Sequence, residues 1–108
     1  MIDLAPHHLE TVRRILTSSV PDYEVRAFGS RVSNAAKPYS DLDLVIVGQA
    51  ALGADELRLL REEFENSDLP IRVDVVDWNT ISASFREVIE RNQFVLQASR
   101  AARSGRAE

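Results

Sequence analysis

Residues 41–47, which read DLDLVIV, constrain the fold of this chain more than any other segment. Alternate residues of an extended strand point to opposite faces, so the two aspartates share one face with Val45 and Val47. Leucine and isoleucine occupy the other face. Both faces become apolar towards the end of the segment, which predicts a central strand covered on both sides by other elements. The two acids lie at the start of that strand.

Hydrophobic spacing and turn residues predict the other elements of the chain. Helices are predicted at residues 6–20, 31–36, 55–65 and 81–92, and strands at residues 23–28 and 71–76. A final short packing segment is predicted at residues 94–96.

The connections between the strands predict a mixed sheet. The link from Ser30 to Ser40 is short for a crossover helix, so the first two strands are expected to be antiparallel. The link spanning residues 48–70 has room for a helical crossover, which would make the second and third strands parallel. The predicted fold is therefore α+β, a small mixed β-sheet with flanking helices.

The length and apolar content fit one small domain. The chain has 108 residues, of which 44% are apolar, enough for a packed core. We assign residues 1–97 to this domain. Residues 98–108 are small and charged, and they predict a flexible C-terminal tail.

Composition excludes several classes of function. The chain has no cysteine, so disulfides, thiolate metal sites and cysteine nucleophiles are excluded. Its net charge of -4 gives no support to a nucleic-acid-binding surface, and we expect no direct nucleic-acid binding. No apolar run approaches the roughly 20 residues that cross a bilayer, and the N-terminus has no signal-peptide pattern. We therefore expect a cytoplasmic protein.

Three aspartates are candidate metal ligands. Asp41 and Asp43 point to the same face with backbones about 6–7 Å apart, a placement that is costly unless a cation lies between the carboxylates. Such a pair suits Mg²⁺, although two solvated acids at a strand entrance would look the same. Asp74 lies within the otherwise apolar third strand, where an unpaired buried carboxylate would be expensive.

The position of Asp74 allows two interpretations. If the second and third strands are neighbours, its carboxylate can lie beside Asp43. Three carboxylates can hold two metal ions about 3.5–4 Å apart, the arrangement used in phosphoryl and nucleotidyl transfer. Alternatively, Asp74 forms an ion pair with Arg26 or Arg31. Asp77 is a rival ligand, but it belongs to the opposite strand face beside a turn, which favours a capping role.

Gly29 and Ser30 are candidate phosphate-binding residues. Glycine allows the backbone to approach an anion closely, a helix start offers N–H donors, and the serine adds a hydroxyl. An ordinary strand–turn–helix junction capped by Ser30 would have the same sequence. The two residues gain meaning from the paired acids that follow at Asp41 and Asp43.

This combination resembles the nucleotidyltransferases of the DNA-polymerase-β superfamily, whose signature is Gly-Ser, a gap, Asp-x-Asp and a third carboxylate on a later strand. Residues 28–31 (FGSR), 40–44 (SDLDL) and 71–77 (IRVDVVD) are similar in particular to the minimal nucleotidyltransferases (MNT proteins) of bacteria and archaea. The similarity in order and spacing covers roughly residues 8–97. The resemblance implies a polymerase-β-like nucleotidyltransferase core.

The resemblance also implies site residues and chemistry. Asp41, Asp43 and Asp74 would be the catalytic carboxylates and the ligands of one or two Mg²⁺ ions. Gly29 and Ser30 would hold the nucleoside triphosphate, expected to be ATP. Arg31 is assigned to the same nucleotide site, although it could equally pair with an acid.

The expected reaction moves a nucleoside monophosphate to an acceptor hydroxyl and releases pyrophosphate. The expected partner is an all-helical HEPN-type toxin, which the MNT antitoxin neutralises by attaching AMP, by binding, or by both. A protein adenylyltransferase is favoured because the three acids and the Gly-Ser pair are all present. The alternative is an antitoxin that acts by contact alone. A small-molecule acceptor is less favoured, since enzymes of that kind usually carry a further domain.

The sequence departs from the family in the phosphate loop. Many members continue after the arginine with a small residue, another residue and a glycine, whereas this chain has Val32, Ser33 and Asn34. A branched residue and a missing glycine are expected to tighten or re-angle the loop.

Overall fold

The computed structural model describes residues 1–100, which form three α-helices and a four-stranded sheet. In chain order the elements are α1 (Pro6–Ser19), β1 (Glu24–Phe28), β2 (Leu42–Val47), α2 (Ala54–Glu65), β3 (Val73–Asp77), a 3₁₀ turn (Trp78–Thr80), α3 (Ala83–Arg91) and β4 (Gln93–Gln97). The strand order is β3-β2-β1-β4.

The sheet has the mixed topology that the connections predict. β1 runs antiparallel to β2 and also to β4, while β3 runs parallel to β2 through the crossover that contains α2. The α+β fold with flanking helices is therefore confirmed. In the described part of the chain, none of the helices is long and apolar enough to cross a membrane.

β2 is the buried centre of the fold, as its sequence predicts. Leu42, Leu44 and Ile46 point into a core shared with α1 and α2. On the opposite face, Val45 packs with Phe28 of β1 and with α3. Each face of β2 is thus covered by helix over its apolar part, and Asp43 near the N-terminal end and Val47 at the C-terminal end are partly open to solvent.

The predicted helix at residues 31–36 is wrong. The N–H groups of Val32 and Ser33 both donate to the Gly29 carbonyl, so a turn begins as a helix would. Asn34 then adopts φ 63, in the left-handed region, and ends the turn after these bonds. The segment is a chain of tight turns because too few residues remain before β2 for a helix to propagate.

The segment predicted at residues 94–96 is part of an edge strand. β4 pairs with β1, with Phe94 opposite Ala27 and Val95 opposite Arg26. β4 begins and ends with glutamine, so its sequence lacks the apolar pattern of a strand at both ends. Gln97 is nevertheless buried, and its side-chain amide donates to the Val20 and Tyr23 carbonyls.

Arg100, which follows β4, contacts the loop between α1 and β1. The Arg100 N–H donates to the Pro21 carbonyl, and its guanidinium pairs with Asp22 at 2.8 Å. Residues 101–108, most of the predicted tail, lie outside the described residues. The domain boundary at residue 97 stays a prediction.

Candidate active site

The sheet register brings the predicted acids to one place. Asp43 lies opposite Phe28 of antiparallel β1 and opposite Asp74 of parallel β3. Partners in register point to the same face, so the carboxylates of Asp43 and Asp74 are neighbours. Asp41 precedes β2 by one residue and is exposed. The site therefore lies at the N-terminal end of β2, on the face that α3 covers further along.

Asp43 is the desolvated member of the group. Burial, together with the nearby charges of Asp74 and then Asp41, raises its pKa from 3.8 to about 6. The carboxylates of Asp74 and Asp41 are thus close enough to act on that of Asp43. The raised pKa marks a position where a bound cation would remove an electrostatic penalty.

Asp74 is exposed, so the expectation of a buried carboxylate at this position is wrong. The reason is topological: β3 is an edge strand of the sheet, and no helix covers the start of this face. The alternative ion pair with arginine is also wrong. Arg26 pairs with Glu24 and donates to Gln93, and Arg31 donates to backbone carbonyls.

The donor set of this site suits Mg²⁺ better than softer metals. Carboxylate oxygens are the ligands that Mg²⁺ prefers, and it usually keeps waters and substrate phosphates in its shell. Within residues 1–100 no three His, Asp or Glu side chains are already gathered as a metal-binding cluster. Asp43 and the exposed Asp41 and Asp74 are the residues that would hold such an ion.

Gly29 contacts the acid site directly. It has φ 82, and a Cβ at this position would lie 2.4 Å from the Asp43 Oδ2. Both the backbone conformation and the close approach require glycine. The turn that follows β1 is thus packed against the central carboxylate, which places the predicted phosphate loop and the predicted metal ligands in contact.

Ser30 does not cap a helix, because no helix follows it. In the described part of the chain its hydroxyl makes no hydrogen bond, while its carbonyl accepts from the Ala35 N–H at 3.1 Å. The hydroxyl is therefore available to a ligand beside Gly29.

Val32 and Asn34, at which the loop departs from the family's pattern, each have a defined place in the turn. Val32 is buried in the core shared by α1 and α2. Asn34 takes the place where many relatives have glycine, and it adopts the positive φ that glycine would favour. Asparagine tolerates this conformation better than most residues. One residue thus anchors the turn in the core, and the other provides its left-handed bend.

Arg31 lies almost entirely inside the protein, with 7% of its surface exposed. Its guanidinium donates to the carbonyls of Ser40, Asp3, Lys37 and Pro38 over 2.8–3.3 Å. The sequence analysis predicts that this side chain binds either a phosphate or an acid of the site. Its observed partners are backbone oxygens.

Asp77 has the capping role that its position predicts. It is 3% exposed and accepts from the Leu52 N–H at 2.7 Å and from the Asn79 N–H at 2.9 Å. The second bond caps the 3₁₀ turn that follows β3. The bond to Leu52 joins two loops that are distant in sequence, so sequence spacing gives no signal for it.

The two aspartates of β3 are expected to differ in their effect on stability. Asp77→Ala should lower the free energy of unfolding by about 2 kcal/mol, because it leaves the buried Leu52 N–H and the partly buried Asn79 N–H without their acceptor. Asp74→Ala should change it by less than about 0.5 kcal/mol, as for an exposed surface position. Urea denaturation of the two variants measures this difference. A cost for Asp74→Ala equal to that of Asp77→Ala would mean that Asp74 has a structural role.

A family model agrees with this arrangement. The model of the nucleotidyltransferase domain matches residues 9–101. Over 96 residues the chain is 48% identical to the probable protein adenylyltransferase MntA of Haemophilus influenzae. The aligned region covers 89% of this chain and 84% of that protein.

Solved structures share the fold at lower identity. A crystal structure of a toxin–antitoxin with AMP-PNP matches with a TM-score of 0.71 and 19% identity, over 87% of this chain and 76% of the matched chain. A structure of the tri-AMPylated Shewanella oneidensis HEPN toxin in complex with MNT antitoxin matches with a TM-score of 0.65 and 18% identity, over 91% and 76%.

The resemblance that the sequence motifs predict is thereby confirmed. The family match spans β1 to β4 and includes every residue of the candidate site. The chain belongs to the nucleotidyltransferase domain family, among its MntA-type minimal nucleotidyltransferases.

Proposed function

We propose that this protein transfers AMP from ATP to a hydroxyl group of a HEPN-type toxin, with Mg²⁺ bound by Asp41, Asp43 and Asp74. The observation that carries the proposal is the placement of Asp43 between two further carboxylates and against the Gly29 turn. One face thus offers a position for a cation beside a position for a phosphate. A metal held there neutralises phosphate charge and activates an attacking oxygen.

The phosphate loop supplies the other half of the site. Gly29 lets a triphosphate approach the backbone closely, and the free Ser30 hydroxyl can donate to a phosphate oxygen. The acceptor oxygen forms a bond to the α-phosphorus of ATP while the bond to the β-phosphate oxygen breaks and pyrophosphate leaves. Asp74 is exposed on the edge strand, so we assign it to orient the acceptor hydroxyl and to accept its proton.

The acceptor is proposed from the relatives. The Haemophilus influenzae relative is named a probable protein adenylyltransferase, and a structural neighbour contains an AMPylated HEPN toxin with its MNT antitoxin. The supply of ATP favours a cytoplasmic site of action.

Neutralisation by contact alone is the second candidate. It is favoured by one observation: within residues 1–100 the three acids are not gathered into a metal-binding cluster. Under this alternative the acids would be remnants, and the antitoxin would act through its surface.

The experiment incubates the protein with Mg²⁺, ATP and the HEPN-type partner and measures the intact mass of the partner. An increase by one or more AMP units, seen with ATP and lost with EDTA, is expected. The same partner should then lose its toxicity. An unchanged mass together with full neutralisation would favour the contact mechanism and contradict the proposal.

A further inference from the structure

Arg31 connects its own turn to two other segments of backbone, residues 37–40 and the N-terminal segment at Asp3. Its Nε donates to the Ser40 carbonyl at 3.0 Å, and its Nη2 donates to the carbonyls of Lys37 and Pro38. Its Nη1 donates to the Asp3 carbonyl at 2.8 Å. A backbone hydrogen bond joins the same two residues, in which the Asp3 N–H donates to the Arg31 carbonyl at 2.7 Å.

These bonds fix the segment that leads into the metal-ligand strand. Residues 37–40 form a turn closed by the Ser40 N–H on the Lys37 carbonyl and by the Lys37 N–H on the Ser40 hydroxyl. Asp41 follows this turn directly. Arg31 itself follows Gly29 and Ser30 directly. One side chain therefore sets the distance between the phosphate loop and the first carboxylate.

The burial of Arg31 argues against a direct bond to a nucleotide. Four hydrogen bonds to carbonyl oxygens and an exposed fraction of 7% leave the guanidinium enclosed by backbone. Reaching a phosphate would require several of these bonds to break, and the carbonyls would then be left without donors. A guanidinium suits this site because its planar fork serves several acceptors at once, which an ammonium on a flexible stem does not.

We propose that Arg31 is a positioning residue, which holds residues 37–40 and Asp41 in register with the Gly29–Ser30 turn and does not bind the nucleotide. The kinetic part of this inference rests on the proposed AMP transfer. The structural part does not, because it concerns hydrogen bonds that exist without substrate.

The variant Arg31→Lys tests the inference, since it keeps the charge and loses the fork. Hydrogen exchange of the Lys37 and Ser40 amides should become faster, while the amides of α1 and β2 stay protected. At saturating ATP, kcat should fall by about 10²-fold, as expected for misplaced reacting groups, and the KM for ATP should change much less. Arg58→Lys is the matched control, because Arg58 is exposed on α2 and pairs with Asp55 and Glu62.

A spectroscopic measurement on the unaltered protein keeps the inference testable if the variant unfolds. The Nε–H signal of Arg31 should exchange slowly with water and should shift little when Mg²⁺ and a nonhydrolysable ATP analogue are added. A large shift of that signal would overturn the inference, and so would a raised KM with unchanged kcat in Arg31→Lys. If the unaltered protein transfers no AMP, the proposed function fails, whereas the exchange and Nε–H measurements still decide the role of Arg31.

Discussion

The double substitution Asp41→Asn, Asp43→Asn is expected to reduce AMP transfer by at least about 10³-fold. The reason is that metal-ion stabilisation of the transition state contributes several kcal/mol, and each 1.36 kcal/mol corresponds to a factor of about ten in rate. Asparagine keeps the size of each side chain, so the contact of position 43 with Gly29 is preserved. Single-turnover transfer to the HEPN-type partner is the appropriate measurement.

The same variant should be more stable than the unaltered protein in the absence of metal. Folding raises the pKa of Asp43 from 3.8 to about 6, so the folded state holds this proton more tightly than the unfolded state does. The free energy of unfolding of the unaltered protein should therefore fall as the pH rises from about 4 to about 6. A pKa shift of this size corresponds to a change of about 3 kcal/mol in the free energy of unfolding if solvent does not screen the charges. Asp43 is only half-buried, so screening reduces the expected change to about 1 kcal/mol.

The pH dependence of the difference in free energy of unfolding between the two proteins shows whether Asp43 causes that difference. The difference should be absent below about pH 4, grow through pH 4–6 and stay constant above pH 6, as measured by urea denaturation with EDTA present. Adding Mg²⁺ at neutral pH should stabilise the unaltered protein and leave the double variant unchanged. A variant that is less stable than the unaltered protein at pH 7 without metal would contradict the assignment of these carboxylates to a repulsive, cation-binding site.

Gly29→Ala is expected to damage the fold and the site together. A φ of 82 is unfavourable for alanine, and the added methyl would lie 2.4 Å from the Asp43 Oδ2. Strain of this kind costs about 1–3 kcal/mol. The Asp43 carboxylate must also turn away from the turn, so AMP transfer should fall by about 10²-fold even under conditions where the variant is folded.

Gly53→Ala provides the control for Gly29→Ala. Gly53 has φ -64 at the start of α2, and a Cβ there would make an ordinary contact of 3.5 Å with Glu56. Its effect on stability should be less than about 1 kcal/mol, because the weaker helix cap is offset by the reduced entropy of the unfolded chain. AMP transfer should be unchanged. Equal losses of activity in the two glycine variants would show that the contact between Gly29 and Asp43 has no special role.

The central strand and its neighbours could be predicted from sequence because their signals are local. Residues 41–47 carry the period of two and the apolar faces of a buried strand, and the lengths of the two connections decide the directions of β1 and β3. The register then brings Asp74 beside Asp43. The membership of the family follows from the same motifs, and the comparisons confirm it.

The features that sequence did not predict depend on tertiary position. Asp74 is exposed because β3 lies at the edge of the sheet, and strand order is not visible in a periodic pattern. The turn after Ser30 stops before it becomes a helix because Asn34 adopts a positive φ. The role of Arg31 depends on carbonyl groups of residues before and after it in the chain, and backbone acceptors carry no residue-type signal.

Transfer of radioactive label from ATP tests the central claim most directly. The protein is incubated with Mg²⁺ and the HEPN-type partner, in one reaction with ATP labelled at the α-phosphate and in another with ATP labelled at the γ-phosphate. The account predicts label on the partner from α-labelled ATP, none from γ-labelled ATP, and none from either with the Asp41→Asn, Asp43→Asn variant. Label from γ-labelled ATP, no label from either substrate, or undiminished transfer by the variant would contradict it.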